Sequence, residues 1–501
     1  MDDARRSRTR TALDAFLSTP LDALLAEHRA ADPAARAMAL FQQTAREVPA
    51  YRAFLEQHGV DPALVRTRDD FGRLPLLTKD NYLRRHPLPA LCRGGDLLGS
   101  DTIAVSSGST GEPTFWPRSI ADELPIAARF EQVFADAFES DRRRTLAVVC
   151  FPLGTWVGGM FTAACCRHLA AKGYRIFTVT PGNVKPDILR VVRELAPHFE
   201  QTVLLGYPPF LKDVVDAGLA AGVRWRDHAI KLVLAGEVFT EEWRTLMAER
   251  AGMTRPLLDS ASLYGTADAG VLGNETPVSI AIRRFLAAHA DDARAIFGEA
   301  RLPTLVQFDP CSRYFEEHAG TLLFTGDNGV PLVRYHISDR GGVVPFDVLI
   351  ERVRALGFDA VRAAREAGAR AVRDLPFVYV FGRSHFAVSY FGANVFPEMV
   401  SVGLEQPDLV AHVTGKFVMQ VVSDADQNRQ LTIAVELAPG VAGDEALADA
   451  IADSILAQLL RLDPEFAAYV PRERQRPRVT LHAPGDPAYF PAGVKHRYSR
   501  D

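Results

Sequence analysis

The sequence predicts an α/β fold, with a large first domain of parallel-rich sheet flanked by helices and a small α+β domain after it. Two observations carry this reading. Short apolar runs alternate with helical stretches between residues 146 and 235, the pattern of a buried parallel sheet with crossover helices. From Gly382 onward the texture changes to short strands beside one Ala-rich helix, which suits a compact unit of its own. The expected boundaries are 1–381 and 382–501.

The elements follow in order. Residues 11–60 read as helices, because Leu13, Phe16 and Leu17, then Leu21, Leu24 and Leu25, then Met38 and Phe41 recur at helical spacing. They form a helical N-terminal region of about residues 1–70. Thr102 to Val105 is a short strand that enters Ser106 to Pro113, a run of small and turn-forming residues. The strands of the sheet are expected at Leu146–Phe151, Arg175–Val179, Thr202–Leu205 and Leu232–Ala235, with helices at 157–172, 186–197 and 208–221. Residues 345–375 are rich in Arg and Ala and read as a helical insertion, or more simply as a surface helix pair. In the small domain, strands at Val418–Val422 and Leu431–Glu436 accompany a helix at 444–461.

Composition bounds the function. A chain of 501 residues is expected to hold two to four units, at roughly 150 residues each. Hydrophobic residues at 48% and charged residues at 24% exclude a disordered tail or a collagen-like fibre. A net charge of −5 leaves no basic footprint for nucleic acid and no polybasic membrane anchor. No run of 18 apolar residues exists, so no transmembrane helix is expected. Met1 to Arg10 is charged with no apolar run after it, so no secretory leader is expected. The five cysteines have neither zinc nor disulfide spacing, and a cytoplasmic location is expected. The lysines are Lys79, Lys172, Lys185, Lys212, Lys231, Lys416 and Lys495, so chemistry that needs an amine has few candidates.

The most informative segment is Ser106-Ser107-Gly108-Ser109-Thr110-Gly111-Glu112-Pro113. Glycines let backbone N–H groups approach phosphate oxygens, and hydroxyls add donors. The Gly-Lys-[Ser/Thr] of nucleoside-triphosphate P-loops is missing. A surface loop is the alternative for the segment taken alone.

This segment resembles the phosphate loop of the adenylate-forming superfamily, and the chain as a whole resembles its phenylacetate–CoA ligase branch. Val48 to Arg52 and Leu74 to Asp80 are similar to that branch's N-terminal pattern, and Thr114 is compatible with it. The resemblance runs from about residue 45 to the C-terminus and implies a site residue by residue. Gly236 and Glu237 would lie along adenine. Tyr264-Gly265-Thr266-Ala267-Asp268 resembles Tyr-Gly-x-Thr-Glu, so Tyr264 would pack on adenine and Asp268 would bind Mg²⁺. Ala267 stands for a hydroxyl residue and Asp268 for glutamate. Arg334 to Asp339 resembles Arg-Tyr-x-Thr-Gly-Asp, with Ser338 in the glycine position and Asp339 holding the ribose. Gly382-Arg383-Ser384 resembles the hinge motif, where Arg383 would bridge ribose and phosphate, and His385 and Phe386 replace acids. Gly392 to Pro397 matches the branch, whose glycine lines a pantetheine tunnel in CoA-using relatives. Pro491 to Arg497 resembles the catalytic-lysine segment and nominates Lys495.

The resemblance implies that ATP and Mg²⁺ activate a small-molecule carboxylate to an acyl-adenylate. The small mobile domain would then admit CoA, a carrier-protein thiol or an amine. Trp156, Gly158, Gly206, Tyr207, Pro208 and Phe210 fall in segments that approach the acyl group in relatives, and the aromatics suit an aryl or heteroaryl acid. The same residues also read as core packing. The resemblance also implies a possible homodimer, homodimers being common in that branch. Two other readings stand beside this one: an acyl-protein synthetase-type acyltransferase, which needs a reactive cysteine, and a non-catalytic adenylate-binding protein. His336 and His385 lack metal-ligand spacing and are expected to form hydrogen bonds.

Overall fold

A computed structural model describes residues 2–106, 114–299, 302–383, 387–490 and 499. Two compact units emerge. The first comprises residues 1–105, 115–206 and 214–384; the second comprises 106–114, 207–213 and 385–501.

Thr102–Ser106 (β1) and Thr114–Arg118 (β2) form a two-stranded ribbon. The main sheet then begins with Thr145–Val149 (β3), Ile176–Val179 (β4), Gln201–Gly206 (β5), Ile230–Ala235 (β6) and Ser260–Thr266 (β7). It continues with Gly270–Asn274 (β8), Thr304–Gln307 (β9), Tyr314–His318 (β10), Thr321–Gly326 (β11), Leu332–Val344 (β12) and Phe377–Arg383 (β13). The order across its 11 strands is β10-β11-β12-β13-β9-β8-β7-β6-β5-β3-β4.

From β4 to β7 every pairing is parallel, as the alternating sequence predicts. Helices Val157–Ala171, Lys185–Leu195, Pro208–Ala220 and Glu241–Ala251 make the crossovers. All residues of β3 and β5 are buried, which explains their continuous apolar runs. Beyond β7 the pairing is antiparallel throughout. The sheet is thus more mixed than the sequence reading expected, because tight connections such as Ala267–Ala269 return the chain beside its own strand.

The N-terminal helices Pro33–Glu47 and Pro49–Gln57 pack Phe41, Tyr51 and Phe54 into one core with Leu77, Trp116, Phe324 and Tyr335. Helices Phe346–Ala355 and Ala360–Glu366 lie between β12 and β13. They cover a second core built on Ile282, Leu349, Val353 and Phe377. No described helix is long and apolar enough to cross a membrane.

The second unit holds the hairpin Val388–Tyr390 (β14) and Ala393–Val395 (β15). Its three-stranded sheet is Val413–Ser423 (β16), Arg429–Leu437 (β17) and Arg478–His482 (β18), ordered β16-β17-β18. Helix Glu445–Leu462 packs against helix Pro397–Leu404, so closely that a Cβ on Gly403 would lie 2.8 Å from Ile455 Cα. Asp463 joins it to helix Pro464–Tyr469 and accepts the Phe466 N–H at 3.1 Å.

Asp463 is fully buried, and burial pushes its carboxyl up to about 7. The native state therefore holds a proton that the unfolded chain gives up at lower pH. Its contribution is fully present below the ordinary aspartate range and is lost as pH rises toward and through 7. Asp463→Asn keeps the helix cap and removes the titration. It is expected to leave stability unchanged near pH 4 and to raise it by on the order of 1 kcal/mol at pH 8, read by thermal denaturation of both proteins across pH.

Candidate functional site

In α/β sheets, ligands bind beyond the carboxyl ends of parallel strands, where the strand order switches. β7 is such a place, since it pairs parallel with β6 and antiparallel with β8. The sequence-nominated residues gather at these ends. Gly206 closes β5. Gly236 follows β6 with φ +85°, a left-handed conformation that glycine adopts without strain, and buried Glu237 comes next. Gly265 lies in β7, where a Cβ would meet Gly270 O at 2.6 Å. The β7–β8 turn closes only on glycine.

β7 and β12 then meet through two reciprocal hydrogen bonds. Tyr264 donates from its hydroxyl to Asp339 Oδ2 at 2.6 Å. Tyr335 donates to Asp268 Oδ2 at 2.6 Å. Each segment offers a tyrosine and, four residues later, an aspartate, and each aspartate receives the other segment's tyrosine. All four side chains are buried. The Tyr264 ring also stacks on Phe315 at 6.5 Å. In the β12–β13 register, Asp339 lies opposite Arg383.

A residue outside the sequence-nominated set joins them. Leu77 bridges to Tyr335 in parallel fashion, with Leu77 N donating to Arg334 O at 3.2 Å and His336 N to Leu77 O at 2.8 Å. This pairing carries Lys79 to within 3.6 Å of Asp268 Oδ1 and 6.0 Å above the Trp116 ring. The scarcity of lysine and the Leu74 to Asp80 motif together were the available signal. Distance in sequence, from residue 79 to 268, concealed the contact.

Departures from the family pattern find local causes. Thr266, rather than Ala267, supplies a hydroxyl to the turn, accepting the Ala269 N–H at 3.2 Å. Ser338 sits at φ +66°, the left-handed region that explains why glycine is usual there. Arg334 has φ +48° and is held by Glu316 at 3.0 Å and by Leu74 O at 2.5 Å. His336 pairs with Thr321 Oγ1 at 2.8 Å.

The remaining nominations are placed as follows. Ser106 ends β1 and is buried. Val105 bridges to Trp156, with Val105 N donating to Thr155 O at 2.9 Å, so the Trp156 segment runs beside the end of β1. A Cβ on Gly158 would meet only ordinary contacts at 3.8 Å, whereas on the neighbouring Gly159 it would lie 2.2 Å from Pro152 O. Gly159 is the glycine that packing demands there. In the second unit, Tyr207 and Pro208 are buried. The Tyr207 ring lies against Gly392, where a Cβ would come within 2.5 Å of it. Ser107, Gly108, Ser109, Thr110, Gly111, Glu112, Pro113, Ser384, His385, Phe386 and the Lys495 segment lie outside the described residues.

Among the described residues no group of three or more His, Cys, Asp or Glu side chains could hold a metal ion. A lone carboxylate such as Asp268 fits Mg²⁺ that is carried mainly by substrate phosphates and water. The cysteines offer no reactive thiol. Cys150, Cys165 and Cys166 are wholly buried, and burial pushes all three thiols well up, Cys166 to about 12. Burial also raises Cys92, to about 11, and the partly exposed Cys311.

The chain shares its fold with a solved CoA ligase and is similar in sequence to another. It is 24% identical over 371 residues to the phenylacetate-coenzyme A ligase of Thermus thermophilus, covering 73% of each chain. It superposes on a crystal structure of 2-hydroxyisobutyryl-CoA ligase in complex with 2-HIB-AMP and CoA with a TM-score of 0.64 at 16% identity, covering 94% of this chain and 88% of that one. A postadenylation-state structure of the same ligase gives a TM-score of 0.54 at 16% identity over the same shares. No family model matches the chain.

Ser338→Gly is expected to relieve the left-handed strain and raise stability by about 0.5–1 kcal/mol, measured as a shift in denaturant midpoint at unchanged slope.

Proposed function

We propose that this chain activates a carboxylic acid with ATP, releasing pyrophosphate, and passes the acyl group from the adenylate to CoA or another thiol or amine. The observation that carries the reading is the reciprocal pairing of Tyr264 with Asp339 and Tyr335 with Asp268. It gathers the residues that would hold adenine, ribose and the phosphate side into one buried cluster.

The chemistry asks two anions to meet, a carboxylate and the α-phosphate, and charge builds on phosphorus in the transition state. Asp339 offers two acceptor oxygens, and Tyr264 orients one of them. That leaves a two-point acceptor for the ribose hydroxyls. Asp268 would hold Mg²⁺, which when bound offsets triphosphate charge. Lys79 places a positive charge on the same side. The loop from Ser106 to Gly111 would bind the β and γ phosphates, Gly236 and Glu237 would flank adenine, and Lys495 would bridge the incoming carboxylate and the α-phosphate. In the second half-reaction the 385–501 unit would turn near Arg383, withdrawing Lys495 and admitting the nucleophile.

The relatives are named for acids as unlike as phenylacetate and 2-hydroxyisobutyrate. Trp156, Tyr207 and Phe210 favour an aryl or heteroaryl acid for this chain. The acyltransferase reading needs a thiolate nucleophile, and the buried, raised thiols speak against it.

The test is ATP–pyrophosphate exchange with a panel of aryl, heteroaryl and fatty carboxylates, followed by CoA or hydroxylamine trapping. Mg²⁺-dependent exchange with one acid class and a CoA thioester are expected. Lys495→Ala is expected to lose about 10²–10³ in exchange rate while keeping ATP affinity. Silence across the panel in folded, ATP-binding protein would favour a non-catalytic adenylate-binding role.

A further inference from the structure

Two arginines hold the backbone of the Asp268 turn, and the proposed chemistry uses neither. Arg118, the last residue of β2, donates from one Nη2 to Ala267 O at 2.5 Å and to Asp268 O at 3.4 Å. Arg313 donates from Nη2 to Ala269 O at 3.1 Å and to Asn328 Oδ1 at 2.9 Å. Three successive carbonyls of the turn thus accept from two guanidinium groups.

Both side chains are buried, at 1% and 3% exposure. Among the described residues neither forms an ion pair, and Nε and Nη1 of Arg118 and Nε of Arg313 find no hydrogen-bond partner. A buried cation without a carboxylate in contact costs several kcal/mol, and packing alone would be met by an apolar side chain. The arrangement therefore has a use beyond filling space. Position supplies it. β2 begins at Thr114, directly after the Ser106–Pro113 loop, and Arg118 ties that strand to the turn bearing Asp268. The strand is itself fixed, since Gly329 lies so close that a Cβ there would be 2.0 Å from Pro117 O.

We propose that Arg118 and Arg313 are positioning residues that hold the Asp268 turn in register with the strand leaving the phosphate loop. The proposal rests on the reading of Asp268 and that loop as the triphosphate side of the site. The need for it is particular to this chain. Aspartate is one methylene shorter than glutamate, so its reach depends more closely on where the backbone lies.

The test uses the full chain, Mn²⁺ as a paramagnetic stand-in for Mg²⁺, and ATP. Free Mn²⁺ is followed by electron paramagnetic resonance. ATP binding without metal is measured by calorimetry in EDTA, and folding by circular dichroism and thermal midpoint. Arg118→Met and Arg313→Met are expected to weaken ATP-dependent Mn²⁺ binding by about 10–100-fold, with metal-free ATP binding within about threefold. Arg118→Lys keeps the charge but loses the fork. It is expected to recover part of the loss at an unchanged thermal midpoint, which also decides the matter if the methionine variants do not fold. Wild-type Mn²⁺ affinity in folded Arg118→Lys and Arg313→Lys would overturn the proposal. If Asp268→Asn also leaves Mn²⁺ binding unchanged, the assignment of Asp268 falls instead.

Discussion

The structure turns on a crossed pair of phenol-to-carboxylate hydrogen bonds. Tyr264 and Asp268 come from one end of β7, and Tyr335 and Asp339 from β12, yet β13, β9 and β8 separate those strands in the sheet. A buried carboxylate is expensive unless it is hydrogen-bonded, and each aspartate accepts the other segment's tyrosine hydroxyl. Charge-assisted bonds of this length are among the stronger ones available to a fold. The constraint is mutual: a shift of either segment breaks a hydrogen bond to a buried carboxylate.

Other parts of the first unit follow from keeping those two segments fixed. The Leu77 bridge lays the N-terminal helical region against β12 and delivers Lys79. Gly265 lets the β7–β8 turn close without a Cβ. Arg334, strained at φ +48°, is pinned by Glu316 and Leu74 immediately before Tyr335. The guanidinium groups of Arg118 and Arg313 donate to the backbone carbonyls of the Asp268 turn. Charge at this site comes mostly from arginine and from a single described lysine, in keeping with a chain poor in lysine.

Much of the fold was legible in the sequence because its parallel strands are buried on both faces. Leu146 to Val149 and Thr202 to Leu205 read as continuous apolar runs, and the structure sets them side by side in parallel. The antiparallel half was less legible, since β8 to β12 mix Gly, Thr and charged residues with no clean period. Within the site, Tyr264, Asp268 and Asp339 could be nominated from local motifs, but their pairing could not, because it joins residues about 70 positions apart. Lys79, Arg118 and Arg313 went unnominated for the same reason. Their partners are carbonyls or carboxylates remote in sequence, and even the motif around Lys79 does not name its partner. Ser338 was the reverse case, flagged by sequence as a misfit and found in the backbone conformation that makes it one.

The most direct test of this account is equilibrium binding of AMP, by calorimetry, to the wild-type chain and to Asp339→Asn. Asparagine can still accept the Tyr264 hydroxyl, so the fold should persist with its thermal midpoint nearly unchanged, while the two-oxygen acceptor for ribose is lost. The account predicts AMP affinity at least about tenfold weaker, equivalent to about 1.4 kcal/mol. Equal affinity in the two folded proteins would contradict it and place the nucleotide elsewhere.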